Sequence, residues 1–220
     1  IQKDLAATLR QISEAGAAGF YKGPVARAIV ASSSAGKGLI TQADLDQYTT
    51  RELAPVECDY RGFHIVSAPP PSSGGVIICE ILNVLEGYPL KDWGFRSAQA
   101  VHVQIEAMRH AYVDRNSYLG DPDFVKNPLD RLLDKGYAAK LRAAIDPQKA
   151  AISQNVKPGV APHEGSNTTH YSIVDGKGNA VSVTYTLNDW FGAKVTAAGT
   201  GVLLNDEMDD FTAKLGVPNI

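Results

Sequence analysis

The sequence predicts an α+β fold, on three observations taken along its 220 residues. Over the first two thirds, apolar residues recur at helical spacing between capping signals. A Pro/Gly/Ser-rich connection, SQNVKPGVAPHEGSN, then carries the chain to Asn167. Beyond it come runs of Thr, Tyr, Ile and Val broken by glycines, which is how strands and hairpins read. The sequence holds no internal repeat.

Each element has a local reason. In LITQADLDQY, Thr41 and Asp44 stand at capping-box spacing and predict a short helix through Tyr48. FHIVSA alternates as a strand does; APPPSSGG ends it and offers Ser72 and Ser73 as caps for a helix reaching Glu86, stopped by Gly87. From Ser97, the residues Val101, Ile105, Met108 and Tyr112 recur at helical spacing and predict one buried stripe. LGDPDFVKNP breaks that helix with two prolines and an aspartate-rich turn, and PLDRLLDKGYAAKLRAAI predicts one more amphipathic helix. Thr169 to Val174 and Ala180 to Tyr185 then form a hairpin around DGKGN, whose glycines are free to take positive φ. The loop NDWFGAKVTAAGTG, a short apolar strand VLLN and the acidic turn DEMDDF follow.

Composition narrows the function classes. With 44% hydrophobic and 20% charged residues, the chain is ordinary globular protein, able to bury one large domain or part of a bigger one. A net charge of -3 leaves no basic stripe, so nucleic acid is not expected as a partner. No apolar run approaches the ~20 residues of a membrane span. Starting at Ile1 without a Met and ending at GVPNI after a motif-rich stretch, the chain is expected to have been cut from a longer precursor. Cys58 and Cys79 are too few for a disulfide scaffold, and Cys79, inside GGVIICEILNVLEG, is expected to be a buried inert thiol.

Three candidate sites carry little chemistry. SSSAGKGL has a Gly-Lys pair, but Gly38 stands where a phosphate-binding loop needs Ser or Thr for magnesium, so a solvated loop is expected. His102, Glu106 and His110 lie at i, i+4 and i+8 on one helix face, the pattern of a metal-binding module. At 1.5 Å rise per residue the outer two stand about 12 Å apart, too far for one ion, which favours a polar helix face. Asp121 and Asp123 lack the glycine-centred loop of calcium motifs and read as turn residues.

The threonine pair in SNTTHYS is different. A Thr hydroxyl needs a base at hydrogen-bond distance, and when Thr is the first residue its own α-amine, with an ordinary pKa near 7.7–8.0, supplies one. To expose that amine within a precursor, the Thr168 hydroxyl would attack the Asn167 carbonyl, shift the acyl group from nitrogen to oxygen, and leave an ester for water to cleave. The alternative is that Thr168 and Thr169 simply begin an exposed strand.

NTTHYSIVDGKGNAVSVTYTLN, with FGAKV and GTGVLLNDEMDDF after it and APPPSSGG and AYVDRNSYLGDPDF before it, closely resembles γ-glutamyltranspeptidase, an N-terminal-nucleophile hydrolase. The matches run in order along nearly the whole chain. The resemblance implies a four-layer αββα sandwich, two antiparallel sheets between helical layers, which the helix-then-strand order suits. It implies that residues 1–167 close a large subunit and that 168–220 open a small one, with autocleavage between Asn167 and Thr168. Thr168 becomes the nucleophile and Thr186 the residue that steadies it. Asn188 is expected to meet the donor's α-carboxylate, and Glu207 with Asp210 to hold its α-ammonium. Two acids in a short turn repel unless a cation lies between them. Glu207 stands where some relatives carry Gln, and Trp190 replaces a small polar residue, where it could wall the acceptor side.

The activity so implied is γ-glutamyl transfer from glutathione or glutamine to water, an amino acid or a peptide, with no cofactor or metal, in the periplasm or after secretion. A related cephalosporin or glutaryl acylase is the alternative. The family's oxyanion-hole serines fall downstream of this chain and its carboxylate-binding arginine upstream, so the segment alone is expected to cleave γ-glutamyl substrates poorly or not at all.

Overall fold

The computed structural model describes residues 1–152 and 168–211; the predicted Pro/Gly/Ser-rich connection and Asn167 lie outside the described residues. The chain divides into two compact units, whose described residues are 1–51 with 168–211, and 52–152.

The first unit opens with helices α1 (Lys3–Ala15), α2 (Ala18–Tyr21), α3 (Gly23–Ala35) and α4 (Gln42–Gln47). Pro24 starts α3, where a missing N–H costs nothing. The predicted capping box of α4 is present: Thr41 Oγ1 accepts from Asp44 N at 3.3 Å, and Thr41 N donates to Asp44 Oδ2 at 2.7 Å. SSSAGKGL is not a free loop, because its first residues finish α3. Ser33 is buried and its hydroxyl accepts from Ile40 N, while Ser32 accepts from Ala198 N. A phosphate loop precedes its helix; this segment follows one.

The hairpin pairs β3 (Thr169–Val174) with β4 (Ala180–Tyr185), at the predicted residues, in a register from Thr169↔Tyr185 to Val174↔Ala180. Its turn is held by Asp175, whose Oδ1 accepts from the Lys177 and Asn179 amides. Two short strands follow, Thr196–Ala197 and Val202–Leu203, the second inside the predicted VLLN, and DEMDDF winds into one 3-10 turn, Glu207–Asp210. Buried Val25, Ile29 and Ala197 form this unit's core, with Phe20, Ile40, Leu45, Val202 and Leu204 against it. Thr8 Oγ1 adds a buried hydrogen bond to the Thr200 carbonyl at 2.8 Å. Helices from residues 1–51 and strands from beyond residue 168 thus share one core.

The second unit begins with the hairpin β1 (Val56–Tyr60) and β2 (Phe63–Ser67), closed by Arg61 and Gly62, both at positive φ, the two-residue turn that suits strand twist. Helix α5 (Gly74–Leu85) is buried almost all round, and each large apolar side chain it buries contributes about 1.5–3 kcal/mol. It packs on β1, α7 (Ala98–Tyr118) and α9 (Lys135–Ala144). Its C-terminal carbonyls, Asn83 and Val84, accept from the Arg142 guanidinium, both at 2.8 Å. A Cβ on Gly87 would run into that guanidinium, which is the packing reason for glycine there.

Four expectations change here. Cys58 of β1 and Cys79 of α5 are joined in a disulfide; packing α5 on β1 brings their Cα atoms to 5.9 Å, within bridging range, so Cys79 is not a free thiol. Ser73 occupies the N-cap position of α5 without capping it, because its hydroxyl accepts from Arg115 Nε instead. The stripe Val101, Ile105 and Met108 is exposed, and α7 buries the small face Ala100, Val103, Ala107 and Ala111, which lets α5 approach closely. The single helix predicted from Pro128 is two, α8 (Leu129–Leu132) and α9, because the Asp134 carboxylate caps α9 by accepting from Tyr137 N at 2.7 Å.

Candidate active site

Thr168 is exposed and lies one residue before β3. Continuing the β3–β4 register by one step sets Thr168 opposite Thr186. Alternate residues share a face of a strand, so the face that carries this rung also carries His170 opposite Thr184 and Ser172 opposite Ser182. Those groups bond across the strands. His170 Nδ1 lies 2.8 Å from Thr184 Oγ1, and Nε2 lies 3.3 Å from Ser172 Oγ and 3.1 Å from Ser182 Oγ. The opposite face is apolar, with Tyr171, Ile173, Val181 and Val183.

Beyond β4 the chain reverses at Asn188, at φ 72°, a left-handed conformation that Asn tolerates better than most residues. Thr186 Oγ1 accepts from Asn188 N at 2.9 Å, which leaves its own O–H to donate. The turn is tied to the acidic segment. Asp206 N donates to the Leu187 carbonyl, Asp206 Oδ1 accepts from Asp189 N, and Asn188 Nδ2 donates to the Asp206 carbonyl at 3.3 Å. Further on, Ala193 N donates to the Leu204 carbonyl, and Leu204 N to that of Val195. Gly192, at φ 57°, makes this possible, since a Cβ there would strike the Leu204 carbonyl oxygen.

Thr186, Asn188, Glu207 and Asp210 are therefore gathered on two bonded segments, with Glu207 and Asp210 at the two ends of the 3-10 turn. Partial burial first, and then the negative charges of Asp210 and Asp206, push the Glu207 carboxyl above its ordinary value. Trp190 is exposed on the same loop.

The metal alternative does not assemble. His102 Nε2 is 2.7 Å from the Asp146 carbonyl, while Glu106 is buried, accepts from Ala151 N and pairs with Arg109 at 3.4 Å. Among the described residues no three His, Cys, Asp or Glu side chains converge to hold a metal ion. Asp121 accepts from Asp123 N, as turn chemistry predicts. Among the described residues no helix is long and apolar enough to cross a membrane.

Sequence reasoning missed two clusters. The polar ladder was visible as alternation, Thr168-His170-Ser172 against Ser182-Thr184-Thr186. The other is a buried acid pair, Glu80 and Asp114, whose one signal was a Glu inside the apolar run of α5.

The family model for γ-glutamyltranspeptidase matches residues 1–220. The chain belongs to the γ-glutamyltranspeptidase family. It is 80% identical over 220 residues to a glutathione hydrolase proenzyme of Pseudomonas sp. (strain A14), covering 100% of this chain and 38% of that one. The crystal structure of Helicobacter pylori γ-glutamyltranspeptidase matches with a TM-score of 0.69 and 46% identity, over 75% of this chain and 48% of that one. Cephalosporin acylase from Bacillus halodurans matches with a TM-score of 0.81 and 27% identity, over 98% and 38%. The chain thus spans well under half the length of the curated relative. Its α+β fold is of the N-terminal-nucleophile hydrolase type shared with these enzymes.

Proposed function

We propose that the chain is the nucleophile-bearing segment of an autoprocessing γ-glutamyl acyl-transfer enzyme. What supports the reading most is that Thr168 and Thr186 each stand one residue beyond the last ladder pair, Thr169↔Tyr185, with Thr186 bonded through Asn188 to the acidic turn. Thr168 attacks the Asn167 carbonyl, the acyl group moves to oxygen, and water cleaves the ester to free the Thr168 α-amine. That amine then takes the hydroxyl proton as Thr168 attacks the γ-amide carbonyl of glutathione or glutamine. It returns the proton to the leaving amine, and a γ-glutamyl ester remains. Water or the amine of an amino acid or peptide completes the transfer. Thr186 donates its O–H to the nucleophile's oxygen, Asn188 takes the α-carboxylate, and Glu207 with Asp210 takes the α-ammonium. A bound ammonium relieves the mutual repulsion of those acids.

In this reading residues 1–167 end the large subunit and 168–220 open the small one. The shared core of Val25, Ile29, Ala197 and Val202 would keep the two associated after the cut. The Cys58–Cys79 disulfide suits an oxidising compartment, which supports a periplasmic location.

The likeness to cephalosporin acylase favours a second reading, deacylation of a glutaryl-type amide. That acyl group lacks an ammonium, so the acidic turn argues for the first. Assay of the full-length protein with γ-glutamyl and glutaryl anilides tests this. Release from the γ-glutamyl compound, with faster release when a dipeptide acceptor is added, is expected; release from the glutaryl compound alone would replace it with the acylase reading.

A further inference from the structure

We propose that His170 is a positioning residue for Thr168, an inference that rests on the reading of Thr168 as nucleophile. The Thr168–Thr186 rung lies one step past the last ladder pair, Thr169↔Tyr185, where a ladder frays. What stiffens the polar face is one imidazole joining two rungs at once: Thr184 Oγ1 on one ring nitrogen, and Ser172 and Ser182 Oγ on the other. In either tautomer one ring nitrogen donates and the other accepts, and the rotating hydroxyls supply the complement.

The consequence for Thr168 follows from strand geometry. His170 is the next residue along the same face of β3, and its partner Thr184 is the next along the same face of β4 before Thr186. Holding His170 to Thr184 fixes the pleat and separation of the two strands one rung short of the reacting pair. Both the acyl shift and the later attack need the Thr168 oxygen placed to within a fraction of an ångström. His170 itself touches neither substrate nor scissile bond; it acts through the backbone it pins.

The test uses the full-length precursor with His170→Leu, His170→Asn and Ser182→Ala, and with Ile173→Ala on the opposite face as comparator. Three readouts are taken: the rate at which the two subunits appear, kcat and KM on a γ-glutamyl anilide for the matured fraction, and the melting temperature. His170→Leu is expected to slow both maturation and kcat by about 10- to 100-fold, the cost of a misplaced reacting group, with KM unchanged and melting no lower than Ile173→Ala. His170→Asn, which keeps a polar group within reach of Thr184, is expected to recover part of both rates. Wild-type rates in His170→Leu, or a loss that tracks melting and is not recovered by Asn, would overturn the proposal. If His170→Leu does not fold, Ser182→Ala decides: slower maturation at unchanged melting supports the role, and unchanged maturation overturns it. Thr168→Ala that still matures would instead defeat the nucleophile reading.

Discussion

Replacing Glu80 by Gln should stabilise the protein relative to the wild type by an amount that grows as the pH rises. Glu80 is 1% exposed and Asp114 6%, between α5, α7 and α9. Tyr137 donates to Asp114 Oδ2 at 2.6 Å. Burial first, then the hydrogen bond to Asp114 and its negative charge, push the Glu80 carboxyl up to about 9, against an ordinary 4.5. The folded chain therefore keeps a proton that the unfolded chain releases. Stability from this group is full below pH 4.5, falls as the pH rises, and levels off above about 9. At about 1.36 kcal/mol per pH unit, the loss between pH 5.5 and 8.5 is at most about 4 kcal/mol. Gln mimics the protonated acid at every pH and donates its amide to Asp114. Urea unfolding followed by circular dichroism at both pH values should show Glu80→Gln gaining up to about 4 kcal/mol on the wild type between them. A constant offset, or a variant that loses ground as the pH rises, would refute the buried-proton reasoning.

Three further outcomes are expected. Cys58→Ser opens a bridge between residues 21 apart and should cost about 3 kcal/mol by chain entropy, read as a lower melting temperature that matches the reduced wild type. Gly192→Ala must hold φ 57° with its Cβ against the Leu204 carbonyl; it should cost about 1–3 kcal/mol and raise donor KM by loosening the Asn188 turn. Trp190→Ala should change acceptor preference in transfer assays more than it changes hydrolysis, and equal losses in both would dismiss its role at the acceptor side.

Features set by neighbouring residues were legible in the sequence. The β3–β4 hairpin fell on the predicted residues because alternation and a glycine turn are local, and the Thr41–Asp44 box formed because both its bonds lie within one turn. Features set by contact partners were not. Periodicity showed that α7 has an apolar face of Val101, Ile105 and Met108 but not which face α5 would take, and close packing selected the alanines. The cap at Asp134 outweighed a continuous helical pattern, and Ser73 was drawn from capping by Arg115, 42 residues away. The disulfide and the Glu80–Asp114 pair each join elements whose meeting no local pattern records. In the candidate site, residue types and order were legible through the resemblance, whereas the ties from Asn188 and Asp189 to Asp206 needed the fold.

The central claim is that Thr168 cuts the bond before it and becomes a chain terminus. Mass spectrometry of the full-length protein, beside its Thr168→Ala variant, tests this most directly. A wild-type fragment whose first residue is Thr168, with the variant left as one uncut chain, is the predicted result; an intact wild type, or a variant that matures at the same bond, would contradict it.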